Sequence, residues 1–276
     1  YTCSSATAGD NRKEVFMLSL KNIRYAVGRK EILKGISTAF EPGKFYVIVG
    51  PNGCGKSTLM KVFSGDLKPQ CGQVEYAGTD VFKIGKKELA TYRAVMSQQP
   101  ELHFPLTAEE VVMMGRYPHF NYRHSQKDED ICIQAMKKMD VADLMGRDYL
   151  TLSGGEKQRV QFARVLSQIW EAEENLTRYL FLDEAIAHLD LKHQQQLLKI
   201  SKELCNHGVL VVAILHDLNI ALEYAEHMIL MKYGNIVYEL PQPAKTINQE
   251  IIKEIFEVES QVIALPENKK TIVFSS

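Results

Sequence analysis

Short apolar runs broken by glycine- and proline-bearing turns dominate the start of the chain. Leu18-Ser19-Leu20 alternates as a half-buried strand does, Glu41-Pro42-Gly43 reads as a turn, and Phe45-Tyr46-Val47-Ile48-Val49 is apolar throughout. Gly50 ends that strand, and helical spacing follows from Ser57 to about Phe63. Between Glu101 and Leu150 the character changes. Thr107-Ala108-Glu109-Glu110 has the form of a helix start, and Ile131, Ala135 and Met139 recur at helical spacing from Asp128 onward, which predicts a helical subdomain. The apolar runs Tyr179 to Leu182 and Val209 to Leu215 flank a polar-faced helix predicted over Lys192 to Cys205, a βαβ unit with parallel strands. Beyond Tyr224, Met228 to Met231, Tyr233-Gly234-Asn235 and Ile236 to Tyr238 predict a hairpin, and Asn248 to Phe256 a helix. No internal repeat is visible.

Composition narrows the picture by exclusion. With 276 residues, 45% of them hydrophobic, the chain can bury a full core as one large α/β domain or two closely packed subdomains. Charge is balanced, 33 Lys+Arg against 34 Asp+Glu, which argues against the broad basic surface of a nucleic-acid binder. The run Val209 to Leu215 is far shorter than the roughly 20 residues of a spanning helix. Five cysteines, Cys3, Cys54, Cys71, Cys132 and Cys205, form no CxxC pair, so a reducing, cytoplasmic home is expected. Residues 1–16 lack periodicity and carry no charged segment followed by an apolar one; they are expected to be a disordered upstream extension or remnant, with Met17 the better start.

Candidate chemistry begins at Gly50-Pro51-Asn52-Gly53-Cys54-Gly55-Lys56-Ser57, a complete phosphate-loop pattern set between a buried strand and a helix. Its glycines let successive N–H groups turn inward as an anion nest, and the helix adds its positive dipole end; Thr58 extends the candidate ATP-binding set. Lys56 is expected to bridge the β- and γ-phosphates and the Ser57 hydroxyl to ligate Mg²⁺. Tyr179-Leu180-Phe181-Leu182-Asp183-Glu184 delivers two carboxylates at a strand end. There Asp183 is expected to hold magnesium through water and Glu184 to act as general base on the attacking water. Leu152-Ser153-Gly154-Gly155-Glu156-Lys157-Gln158-Arg159 places a Ser-Gly-Gly backbone directly before a helix, a second anion-binding end in one chain.

That last string resembles the signature motif of ABC ATPases, and the match runs from about Leu18 to Tyr238. The resemblance implies a P-loop NTPase fold of the α/β class: a RecA-like parallel-sheet core, an N-terminal antiparallel β subdomain and an inserted α-helical subdomain. On that frame residues 17–276 form a single domain, with 17–98 and 151–240 as the nucleotide-binding core, 99–150 as the helical subdomain and 241–276 as a C-terminal appendage. It also implies a homodimer in which Ser153, Gly154 and Gly155 contact the γ-phosphate held by the opposite subunit's loop. Tyr25 looks like the aromatic that stacks on adenine, Gln98 like the glutamine that touches magnesium or lytic water, and His216 like the switch histidine on the γ-phosphate. Gln99 lies beside Gln98 as a competing candidate. Asp190, in Ala187-His188-Leu189-Asp190, resembles the aspartate that communicates across the dimer. This sequence departs from the family at Ala185-Ile186, where a proline and a Thr or Ser usually stand, and at His188, which replaces a small residue; that puts the rigidity of the turn in doubt.

ABC ATPases also serve DNA repair and translation, and a phosphate-loop kinase is a more distant alternative. Chromosome-associated members carry long coiled coils and translation factors fuse two copies, whereas this chain has one copy, no long heptads and balanced charge, so no nucleic-acid partner is expected. The stretches His103 to Val112 and Gly115-Arg116-Tyr117-Pro118-His119 look like the iron-chelate and cobalamin importers. Gly146 to Tyr149, Ala163 to Trp170 and the acidic loop Glu171 to Thr177 are similar to haemin-import ATPases. What this implies is haemin uptake, with ferric siderophore or cobalamin as the alternative cargo. The partners implied are integral-membrane permease subunits and, indirectly, an extracytoplasmic substrate-binding protein. The location implied is the cytoplasmic face of the inner membrane, held peripherally. His103, His119 and His124 are not read as haem ligands, since no apolar pocket accompanies them. The pairs Lys86-Lys87 and Lys269-Lys270 are read as solvated surface, with anionic lipid headgroups as the alternative.

Overall fold

Strands β1 (Leu18–Val27) and β2 (Lys30–Phe40) form an antiparallel pair whose inward side chains, among them Leu18, Leu20, Ile23, Leu33, Ile36 and Phe40, are buried. This is a computed structural model, and it describes residues 18–97, 102, 105–171, 176–186, 189–266 and 269–274. Strand β3 (Phe45–Val49) follows and is buried at every position. Successive strand side chains point to opposite faces, so Phe45, Val47 and Val49 enter one hydrophobic core while Tyr46 and Ile48 enter a second. After α1 (Lys56–Phe63), β4 (Cys71–Tyr76) and the short β5 (Thr79–Asp80) complete a four-stranded antiparallel sheet of order β2-β1-β4-β5. Helix α2 (Lys86–Tyr92) leads into β6 (Arg93–Met96), which joins the sheet of β3.

The helical region comprises α3 (Ala108–Met113), a 3₁₀ segment over Met114–His119, and α4 (Gln126–Lys138), with α5 (Gly154–Gln168) packed across both helices and onto β6. Three of these helices start on capping boxes: Thr107 with Glu110, Ser125 with Asp128 and Ser153 with Glu156 each exchange side-chain and backbone bonds. Arg116, 1% exposed, is the largest fully buried side chain among the described residues. Its guanidinium donates to Asp128 Oδ1 (2.9 Å), the Ser167 carbonyl (2.8 Å) and Glu171 Oε2 (2.6 Å), tying the 3₁₀ segment to α4 and to the end of α5. Gln168 Nε2 then donates to the carbonyls of Ala90 and Arg93, and the Gln168 carbonyl pairs with His119, so one residue joins α5, α2, β6 and the 3₁₀ segment.

The parallel sheet is completed by β7 (Tyr179–Asp183), α6 (Leu191–Asn206), β8 (Leu210–Ile214), α7 (Leu218–Tyr224), β9 (His227–Lys232) and β10 (Asn235–Pro241). Its order is β10-β9-β3-β8-β7-β6, parallel except for β10. The first core lies between one face of this sheet and α3, α4, α5, α6 and α7; the second lies between the other face, α1 and the antiparallel sheet. Helices α8 (Pro243–Thr246) and α9 (Gln249–Phe256) and a hairpin of β11 (Ser260–Leu265) with β12 (Lys269–Phe274) follow. The buried strands appear where the continuous apolar runs predict them. The sequence pattern does not predict helices α2 and α7 or the final hairpin. Each helix has seven residues, too few for periodicity to declare itself, and Ile263, Leu265 and Val273 put apolar groups on the hairpin's exposed side.

Candidate functional site

The phosphate-loop sequence folds as a tight turn because its glycines take backbone angles closed to other residues. Gly50 has φ +154 and a Cβ there would stand 2.2 Å from the Met231 carbonyl oxygen; Gly55 has φ +106, with the Ile32 carbonyl 3.0 Å from where its Cβ would be. The loop is therefore clamped between β2 and the β9–β10 turn, whose Gly234 N–H donates to the Cys54 carbonyl (3.1 Å) while Lys34 N–H donates to the Gly234 carbonyl (3.0 Å). Nothing in the sequence pattern announced that brace. Asn52 and Gly53 are exposed at the tip, Pro51, Ser57 and Thr58 are half-buried, and burial pushes the Cys54 thiol up, away from thiolate chemistry.

Lys56, 5% exposed, donates from Nζ to the carbonyls of Gly50 (2.8 Å) and Pro51 (3.0 Å), so the ammonium lies folded across the loop it belongs to. Ser57 Oγ donates to Asp183 Oδ1 at 3.0 Å, which brings the head of α1 against the end of β7. Burial raises the Asp183 carboxyl above its ordinary range, opposed by the Ser57 hydroxyl and reinforced by Glu184. Glu184 follows with φ +53, and its Oε1 meets His216 Nε2 at 2.8 Å, just beyond β8. Ser57, Asp183, Glu184 and His216 thus form a continuous line across the carboxyl ends of β7 and β8 beside the loop.

The remaining predicted residues sit around this line. Tyr25 is half-buried on β1, directly across from Leu33, and Leu33 is the side chain that would meet a Cβ on Gly55. Ser153, Gly154 and Gly155 open α5. Ser153 is exposed and its hydroxyl accepts from Glu156 N–H, and among the described residues no hydrogen bond joins it to the phosphate loop. Asp190 caps α6, accepting from His193 N–H (2.9 Å) and pairing with His193 Nδ1 (2.7 Å); those bonds hold its exposed carboxyl below the ordinary range. Gln98, Gln99, His103 and His188 lie outside the described residues. His119 pairs with the Gln168 carbonyl and His124 with Glu129.

Two glutamines that the sequence did not single out hold the turn after Glu184. Gln158 Nε2, from the first turns of α5, donates to the Ala185 carbonyl, and Gln194 Nε2, from α6, donates to the carbonyls of Ile186 (3.2 Å) and Leu189 (2.9 Å). The Ala185-Ile186 pair, which lacks the family's proline, is thereby fixed by side chains on two helices. Gln158 lay inside the signature string and could have been noticed; for Gln194 no sequence signal existed.

Comparison with known proteins agrees with this geometry. The profile of the ABC transporter family matches residues 33–187. The hemin import ATP-binding protein HmuV of Chelativorans is 40% identical over 251 residues, covering 91% of this chain and 95% of that protein. HmuV of Gloeobacter violaceus is 40% identical over 250 residues, covering 91% and 90%. Among solved structures, a metal-chelate type ABC transporter in an inward-facing conformation superposes with TM-score 0.77 at 22% identity, covering 95% of this chain and 98% of that one. A dimeric ATP-binding cassette in a post-hydrolysis state, bound to ADP and Pi, gives TM-score 0.71 at 26% identity over 82% and 98%. By sequence and by fold, the chain belongs to the ABC transporter family and has the α/β architecture of its ATP-binding subunits.

Proposed function

We propose that the chain is the ATP-hydrolysing subunit of an ABC importer for haemin, working as a homodimer on the cytoplasmic face of the inner membrane against integral-membrane permease subunits that an extracytoplasmic binding protein supplies. The observation that carries the hydrolytic part is the line Ser57, Asp183, Glu184 and His216 beside the glycine-rich loop. In this reading the loop's N–H groups cradle the phosphates, Lys56 leaves its two carbonyls to bridge the β- and γ-phosphates, and Tyr25 stacks on adenine. Glu184 takes a proton from the attacking water while His216 holds the γ-phosphate. The chemistry of the donor set fits Mg²⁺: the Ser57 hydroxyl and the Asp183 carboxylate, both hard oxygen donors, lie together and would hold the ion, Asp183 through water, while Gln98, outside the described residues, is assigned to it by the family resemblance alone. When bound there, the ion would neutralise phosphate charge.

The Ser153 end of α5 is assigned to the ATP held by a second copy, which its exposure and its N-terminal dipole support. Among the described residues no helix is long and apolar enough to cross a membrane; in this reading the permease subunits provide the path for the cargo. Haemin as cargo is supported by the names of relatives 40% identical over most of the chain. The test is reconstitution with the candidate permease in a bilayer: ATP turnover should rise with a haemin-loaded binding protein. Stimulation by cobalamin or a ferric siderophore instead would replace the cargo, and turnover governed by DNA or ribosomes and indifferent to every permease would overturn the transport reading.

A further inference from the structure

From the end of β8 the chain runs through Leu215, His216 and Asp217 directly into α7, whose cap is Asp217: its Oδ1 accepts from the N–H groups of Asn219 (2.7 Å) and Ile220 (3.2 Å). A helix of seven residues has little stability of its own, so its position is dictated by what it packs on. Leu218, Ala221 and Leu222 anchor one side in the first core. The C-terminal hairpin holds another. Asn219 Nδ2 donates to the Ile272 carbonyl (3.1 Å), the Ile272 N–H donates to Asn219 Oδ1 (2.7 Å), and the Thr271 hydroxyl donates to the same oxygen (3.1 Å). A single carboxamide thereby occupies both backbone groups of a buried residue of β12, as a neighbouring strand would. The other end of β12 is tied down as well, Lys270 Nζ donating to the carbonyls of Lys245 and Ile247 around the end of α8.

Resting on the ATP-hydrolysis reading above, we propose that Asn219 is a positioning residue for the reaction: by clamping α7 to β12 it fixes the turn that carries His216, and with it the contact between His216 and Glu184. The hairpin gives no group to the site; it is the outer jaw of the clamp. Asn219 lies on the first turn of the helix that His216 precedes, so a bond from the hairpin to Asn219 bears on the turn that carries His216. A displacement of His216 by a fraction of an ångström would reach hydrolysis and leave nucleotide binding, which depends on the loop at α1, largely untouched.

The test uses the full chain carrying Asn219→Ala. Alanine is the better helix former, so α7 itself is not weakened while all three clamp bonds are lost. Expected are a kcat reduced roughly tenfold, a KM for ATP within about twofold of the parent, and a shifted or broadened His216 imidazole resonance. Thr271→Val, which removes one donor and leaves the clamp's backbone pair, should move the same three readouts in the same direction by less. If Asn219→Ala does not fold, Thr271→Val alone decides the matter by its His216 resonance. Parental kcat with an unmoved resonance overturns the proposal. Glu184→Gln run alongside separates the two readings: if it keeps full turnover, the assignment of hydrolysis to this site falls, and the resonance still decides whether the clamp holds His216.

Discussion

Glu184 illustrates how much one residue can concentrate. Its φ of +53 is a left-handed conformation that costs a side chain other than glycine about 1–3 kcal/mol, held here because Gln158 and Gln194 fasten the carbonyls that follow. What the strain obtains is direction: the carboxylate turns off the end of β7 toward His216. Two substitutions separate geometry from chemistry. Glu184→Gln keeps shape and hydrogen bonding but cannot accept a proton, so ATP affinity should stay within about threefold while turnover falls by roughly 10²–10⁴. Glu184→Gly should relieve the backbone and raise the unfolding midpoint, a gain of up to about 1 kcal/mol offset by lost side-chain contacts, with turnover equally absent. Binding by fluorescent nucleotide, phosphate release and urea unfolding check the pair. A Glu184→Gln protein that turns over at the parental rate would remove Glu184 from its role.

At the scale of elements, the helical region is fastened by a buried charge network with a pH signature. Burial alone would push the Asp128 carboxyl up, but the Ser125 hydroxyl and amide and the Arg116 guanidinium outweigh it and bring the group down to about 2. A depressed carboxylate stabilises the fold fully above its unfolded value near 3.8 and loses that contribution as the pH falls through about 2, here ~2 kcal/mol. Asp128→Asn leaves Arg116 short of a buried partner, so urea unfolding near neutral pH should show a loss of about 3 kcal/mol, and the steep acid limb of the stability curve should flatten. The same elements mark where sequence reading succeeded and where it stopped. Capping at Thr107 was legible because the Thr-x-x-Glu spacing is itself the bonding pattern, and β3, β7 and β8 were legible because strands covered on both faces are apolar without interruption. The motifs single out Ser57, Asp183, Glu184 and His216, which the structure sets in line at the ends of β7 and β8. The clamp of Asn219 on β12, the Gln168 junction and the Gly234 brace did not, since each joins residues far apart in sequence through one amide or carbonyl.

For the whole molecule, the decisive feature is separation: the phosphate loop and the Ser153 end of α5, the two ends proposed to meet phosphate, share no hydrogen bond among the described residues. If each ATP is gripped between the loop of one copy and the α5 terminus of the other, the two defects complement. Ser153→Arg should bind nucleotide and hydrolyse none, and Lys56→Ala should fail through its own loop. Mixed in equal amounts and allowed to exchange, about half of the dimers pair one of each, and each such dimer contains one complete seam and one doubly broken one. Turnover should therefore return to about a quarter of the parental value if the seams act independently, from two proteins that are inactive apart. A mixture that stays as inactive as its components would mean either that both seams must fire together or that the site is made within one chain. Cross-linking with ATP and the Glu184→Gln background distinguishes these, because a site made within one chain predicts no ATP-dependent dimer at all.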